Sequence, residues 1–385
     1  MEGRGILNIL ILGNGFDLAH NLPTKYEDFL DFTYTFKSYY DEKDKGQYEF
    51  QEKCQRYKEY ILALFNEAII DERANELLRE MTELINGNRW LEHFWKIKQA
   101  GNWVDFESEI SKIIQALDRA RKSREDQMKN SPEIESFSLE KRDANILKSI
   151  LLKGQKMTIG GIEQAKDWLL SDLNKLIRCL EIYLNDYVEQ IIPHVKLPDI
   201  EHLDVHCVLS FNYTHTYESF YDTGKKIYYD YIHGEVKRNS NIETCNLILG
   251  IDEYLEGDFK RKDNEYIQFK KFYQRIYKKT GCRYVDWQKR MDQISNAYKK
   301  KNEFPIHNIY IFGHSLDITD GDILSGLINS DMTKVTIFHH SKEELGHQIC
   351  NLVKILGEDE LIAMVHGANA KIILQEQKGT IQRKV

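Results

Sequence analysis

The residues Ile6-Leu-Asn-Ile-Leu-Ile-Leu12 run without a break into Gly13-Asn14-Gly15-Phe16-Asp17. An apolar stretch this short, closed by glycines, reads as a strand buried on both faces that opens a nucleotide-binding βα unit. Gly13 and Gly15 allow a tight turn and a close approach of backbone to ligand, with phosphates facing the N-terminus of the next helix. Leu18 stands where the usual dinucleotide fingerprint has its third glycine, so the turn taken alone is equally compatible with a purely structural role.

Further runs of the same kind follow. His206–Phe211 leads to Asn212, Ile227–Ile232 to His233-Gly234, and Ile306–Phe312 to Gly313; Asn246–Gly250 and Val335–Phe338 complete the set. Strands alternating with helical segments predict an α/β fold with a doubly wound, mostly parallel sheet. Ligands of such sheets sit beyond the strand carboxyl ends, where Gly-Asn-Gly, Asn212, His233 and Gly313 all fall. Helical spacing of Phe50, Cys54, Tyr57, Ile61, Leu64 and Phe65 recurs around 77–91, 106–117 and 162–192, with a polar stretch at 123–142. Residues 36–200 are therefore expected as an α-helical insertion, and 1–35 with 201–385 as the sheet domain. A charged helical excursion at 256–304 places Phe269, Phe272, Tyr273 and Ile276 on one face.

Composition narrows the functional classes. A net charge of −8 argues against a general nucleic-acid binder, which needs a cationic surface. No run approaches the roughly 18 apolar residues of a membrane span, and the N-terminus reads directly into a core strand rather than a signal peptide. The six cysteines are scattered without a CxxC, as suits a reducing cytoplasm.

ILGNGFDLAHNLPTKYEDFL (residues 11–30) resembles the N-terminus of the AbiH family, bacterial proteins linked to abortive infection against phage. Trp103-Val-Asp-Phe-Glu107, Ser210-Phe-Asn-Tyr-Thr214, Ile232-His-Gly234, Leu249-Gly-Ile-Asp-Glu253 and Phe312-Gly-His-Ser-Leu-Asp317 are similar to its other motifs, in the expected order. Asn21 departs from the pattern, because a glycine is common before Leu-Pro. The same motif order resembles, more distantly, sirtuin-like NAD-binding Rossmann domains. That resemblance implies a glycine turn cradling NAD phosphates, an Asn holding the nicotinamide ribose or a water, a His before Gly acting as base, and a later Gly-x-Ser at the adenosine half. Sirtuin deacylases carry a zinc ribbon of paired cysteines that this chain cannot build, so protein deacylation is not expected.

The candidate catalytic residues are Asn212 and His233. His233 suits proton transfer near neutrality, although a histidine capping a turn would look the same. Asn212 can orient a water or ribose hydroxyl without changing charge, or merely stabilise a strand-end turn. Gly13, Asn14, Gly15, Phe16 and Asp17 form the expected cofactor turn; Asp17 either meets a ribose or nicotinamide or complements its helix dipole. His20 and Thr24 lie near enough in sequence to line the pocket. Gly313 and Ser315 are expected at the adenosine half, and Glu107 as an acid or ribose contact, with a solvated helix face as its alternative. Asp317, Asp320 and Asp322 admit a Mg²⁺ site but read better as a helix start. His339-His340 lacks a convincing third zinc ligand, and no metal is expected.

The resemblance implies a cytoplasmic anti-phage effector that hydrolyses NAD to nicotinamide and ADP-ribose. A non-catalytic NAD- or ADP-ribose-binding sensor and a metal-dependent nuclease or phosphodiesterase stand as alternatives. The expected partner is a small nucleotide, with a phage-derived or host trigger and self-association left open.

Overall fold

A computed structural model describes residues 5–43, 48–130, 140–151, 159–221, 224–251, 264–301, 306–368 and 370–378. The chain divides into two compact units, one of residues 1–24, 189–235 and 279–385, the other of 25–188 and 236–278.

The first unit is built on a six-stranded, all-parallel sheet: β1 (Asn8–Leu12), β2 (Cys207–Ser210), β3 (Tyr228–Tyr231), β4 (His307–Phe312), β5 (Thr333–His339) and β6 (Ile372–Glu376). The spatial order is β3-β2-β1-β4-β5-β6, so the winding reverses between β1 and β4. This is a Rossmann-like α/β fold. β1 pairs with both neighbours along its length, Leu10 facing Val208 on one side and Tyr310 on the other. Its central position explains why Ile9, Leu10 and Ile11 are wholly buried.

Side-chain alternation splits the core into two layers. Leu7, Ile9, Ile11, Leu209, Ile309, Ile311, Val335 and Ile337 pack on one face with Trp287 and Met291 of helix Arg283–Lys299 and Leu352 of helix Lys342–Leu356. Leu10, Leu12, Val208, Phe312 and Phe338 pack on the other with Phe16, Tyr217 and Tyr221. At roughly 1.5–3 kcal/mol per fully buried large apolar side chain, these layers are the main force holding the strand ends in place.

The second unit is helical, with helices Tyr26–Glu42, Gln55–Glu67, Glu72–Ile85, Arg89–Gln99, Phe106–Asn130, Lys141–Ile150, Ile159–Ile182 and Lys271–Lys278. The periodic stretch at 77–91 is two helices rather than one. Gly87 (φ 69°) breaks it, and Asn88 restarts it by accepting the Trp90 and Leu91 amides at 3.1 and 3.2 Å. Phe94 stacks on Phe106 at 4.2 Å in the centre of this unit.

One further expectation is corrected here, and the orientation of one helix is set by its partners. Asn246–Gly250 joins no sheet; the Gln274 side chain pairs with the Leu249 backbone, accepting its amide (3.2 Å) and donating to its carbonyl (3.1 Å), as a neighbouring strand would. On helix Lys271–Lys278 the apolar residues do not all face inward. Phe272 and Ile276 are 45% and 74% exposed, while Lys271 and Gln274 are buried. The polar groups turn inward because they have partners there, Glu107 for Lys271 (2.7 Å) and the Leu249 backbone for Gln274. Asp252, Glu253, Ser131, Pro132, residues 256–263 of the expected excursion and its last residues 302–304 lie outside the described residues.

Candidate functional site at the sheet's carboxyl edge

The turn after β1 meets the turn after β4 at the point where the winding reverses. The amides of Gly13 and Gly15 donate to the Phe312 and Gly313 carbonyls at 3.1 and 2.8 Å. A Cβ on Gly15 would stand 2.6 Å from Gly313 Cα, and one on Gly313 (φ 67°) 2.5 Å from the Gly15 carbonyl carbon. These glycines let two backbones touch. The Gly13, Gly15 and Phe16 amides are all engaged by backbone carbonyls, so these donors hold the two turns together. The chain after β4 stays strained, with Leu316 buried at φ 58°.

Asn212 leaves β2 buried and donates from Nδ2 to the Gly13 carbonyl at 3.0 Å. Its amide hydrogens are thereby drawn to the glycine turn, and Oδ1 is the group left to orient a ligand. Two residues on, Thr214 donates its hydroxyl to Asp17 Oδ2 at 2.6 Å. Asp17 is only 1% exposed, and Oδ1 has no hydrogen-bond partner. Burial pushes its pKa up to about 6; the Thr214 and Thr216 hydroxyls pull the other way, and Glu189 adds to the rise.

His233, just past β3, is buried with Nε2 3.4 Å from Asp320 Oδ1. The other carboxylate oxygen of Asp320 lies 3.6 Å from His314 Nε2. His314 Nδ1 accepts the Leu316 amide at 2.9 Å, so its ring proton sits on Nε2, facing Asp320. Phe211 packs edge-on against both imidazoles, at 5.5 Å from His233 and 4.4 Å from His314. Burial opposes ionisation of Asp320, but the two histidines outweigh it and hold the carboxyl far below the usual carboxylate range.

The remaining predicted residues fall as follows. Asn14 is exposed and reaches the Thr24 carbonyl at 3.3 Å, while the Thr24 hydroxyl is buried without a partner. Phe16 is core. Ser315 is exposed, and its carbonyl accepts from Asn351 at 3.0 Å. His20 is locked, donating from Nδ1 to the Phe16 carbonyl and accepting the Tyr221 hydroxyl at Nε2, both at 2.8 Å. Burial lowers its pKa. Asp317 caps its own turn by accepting the Thr319 amide at 3.0 Å. Glu107 belongs to the helical unit and pairs with Lys271. Asn21 takes φ 60°, the left-handed conformation in which asparagine best replaces glycine.

A family model described as Bacteriophage abortive infection AbiH matches residues 9–340, the span that holds every motif above. The chain belongs to the AbiH family. That membership places it with proteins of phage abortive infection. No curated protein and no solved structure matches it.

The AbiH motifs within residues 11–24, 210–214, 232–234 and 312–317 thus fall in the first unit, at the carboxyl ends of β1, β2, β3 and β4, whereas residues 25–30 and Trp103–Glu107 belong to the helical unit. Sequence reasoning missed the parts of this edge supplied by pairing across the chain. Thr214 was visible only as the end of Ser-Phe-Asn-Tyr-Thr, and Asp320 only as one of three clustered acids. His215, Glu189 and Glu235 carried no local signal at all. Among the described residues no three His, Cys, Asp or Glu side chains are grouped so as to hold a metal ion, and no helix is long and apolar enough to cross a membrane.

Proposed function

We propose that this AbiH protein binds NAD at the carboxyl edge of its sheet and hydrolyses it to nicotinamide and ADP-ribose. The carrying observation is that Asp17, Asn212, His233 and Asp320 follow β1, β2, β3 and β4 at the sheet's carboxyl edge, the segment after β2 bonded to that after β1 and His233 set beside Asp320. The sirtuin-like order of the motifs supports the same ligand. The ligand would lie beyond the Gly13-Gly15 and Gly313 turns, whose backbones close on each other.

In this chemistry the bond between the ribose anomeric carbon and the nicotinamide nitrogen breaks. Its electron pair neutralises the pyridinium, and an oxocarbenium-like sugar remains. Asp17 and Asp320 put negative charge where that positive charge develops. Asn212 Oδ1 accepts a hydrogen from the attacking water and aims its oxygen at the anomeric carbon. His233 takes the water proton on Nδ1 while Asp320 steadies Nε2, and then releases it to solvent. The balance is NAD⁺ and water giving nicotinamide, ADP-ribose and a proton.

The test is NAD content after induction or phage challenge, beside NAD turnover by purified protein. Wild type should deplete NAD, and Asn212→Ala and His233→Ala should each slow turnover by about 10²–10⁴-fold. Growth arrest with NAD intact, or toxicity unaltered by both substitutions, refutes the hydrolase.

A further inference from the structure

His215, on the loop after β2, takes no part in that chemistry, yet both its ring nitrogens are gripped. Nδ1 lies 2.9 Å from Glu189 Oε1, which also accepts the His215 backbone amide at 2.8 Å. Nε2 lies 3.3 Å from Glu235 Oε2. The ring packs against Tyr231 at 5.2 Å, the last residue of β3. Burial disfavours the imidazolium, but the bonds to Glu189 and Glu235 outweigh it and push the pKa up to about 10. A histidine that donates from both nitrogens cannot serve as a base near neutrality.

The position of the two carboxylates gives the clamp its meaning. Glu189 and Glu235 are the first and last residues of the middle stretch of the sheet unit. Glu235 also ends the turn His233-Gly234-Glu235, in which Gly234 sits at φ 81° and donates its amide to Tyr231 at 3.2 Å. β3 therefore fixes one end of this turn, and the ion pair with His215 fixes the other.

We propose that His215 is a positioning residue for His233, its clamp on Glu189 and Glu235 holding the His233-Gly234-Glu235 turn so that the His233 ring meets Asp320. This rests on the reading of His233 as base. Without the cation, two carboxylates face each other across the loop, and the tie between His215 and the turn is lost.

The experiment uses the full chain and three substitutions. His215→Gln keeps a neutral hydrogen-bonding group without the charge. His215→Arg restores a cation with several donors. Glu235→Gln weakens the link between His215 and the turn and serves in place of His215→Gln should that variant not fold. NAD turnover and the ring titration of His233 by NMR are followed together. In His215→Gln, kcat should fall by about 10²-fold, the cost of a misplaced group, with KM little changed. His215→Arg should recover most of the loss, and in His215→Gln the His233 titration should shift as the tie between position 215 and Glu235 is lost. A wild-type kcat with an unmoved His233 titration overturns the proposal, as does a rise in KM at constant kcat. If wild type fails to turn over NAD, the hydrolase reading alone falls. The His233 titration then decides the placement, a shift in His215→Gln sustaining it and an unmoved curve overturning it.

Discussion

Asp17 should cost the protein stability, and the cost should depend on pH. Its side chain is 1% exposed with one carboxylate oxygen unpartnered, and burial raises its pKa from 3.8 to about 6. The folded state therefore holds this proton more tightly than the unfolded chain. Stability contributed by the group is present below the unfolded pKa and is lost as pH rises through the folded one, between about pH 4 and 6. The rise from 3.8 to about 6 corresponds to roughly 3 kcal/mol. Asp17→Asn keeps an acceptor for Thr214 and removes the charge. The weaker bond to a neutral acceptor takes back about 1 kcal/mol, which leaves a net gain near 2 kcal/mol above about pH 7. Urea unfolding of both proteins at about pH 5 and pH 8 measures this. The variant should be the more stable at the higher pH, and the gap should narrow or vanish at the lower. It should also lose NAD binding or turnover, since a group retained at a cost to folding is retained for use. A variant less stable at both values, or a gap that does not change with pH, refutes the argument that burial of this charge governs its cost.

Two further tests address the scaffold. Gly313→Ala places a Cβ against the Phe16 nitrogen and the Gly15 backbone at positive φ, and should cost more than about 4 kcal/mol in thermal or denaturant unfolding. Gly101→Ala, also at positive φ but with open space around it, should cost only about 1–2 kcal/mol; equal losses would mean that the contact between the two turns is unimportant. In the helical unit, Arg178 donates to Glu80 (2.7 and 3.1 Å) and to the fully buried Glu181 (2.7 Å). Arg178→Met should destabilise by about 3–5 kcal/mol by leaving Glu181 uncompensated, and Arg178→Met with Glu181→Gln should recover part of that in the same unfolding assay.

The legible parts of the fold were those whose signal is local. β1, β2 and β4 read as continuous apolar runs because central parallel strands are buried on both faces. β6 was missed because Ile372–Glu376 lies at the sheet edge and is half exposed, so its sequence resembles a loop. Helix Lys271–Lys278 shows the limit of periodicity. The spacing identifies a two-faced helix but does not say which face goes in, and Glu107 with the Leu249 backbone makes the polar face the buried one. The same limit governs the candidate site. Gly13, Asn212 and His233 stand out because each closes a strand, and the carboxyl end of a strand has a known destination in this architecture. Asp320 looked like a helix-start acid because the pull of His233 and His314 comes from more than eighty residues upstream in one case and across a strained turn in the other. Asp17 was legible as a residue but not as a proton carrier. Its raised pKa arises from the core that closes over it, against the opposing pull of Thr214, nearly two hundred residues away. Residue types at strand ends were thus open to sequence reasoning, whereas protonation states were not, because they are set by the partners that folding brings.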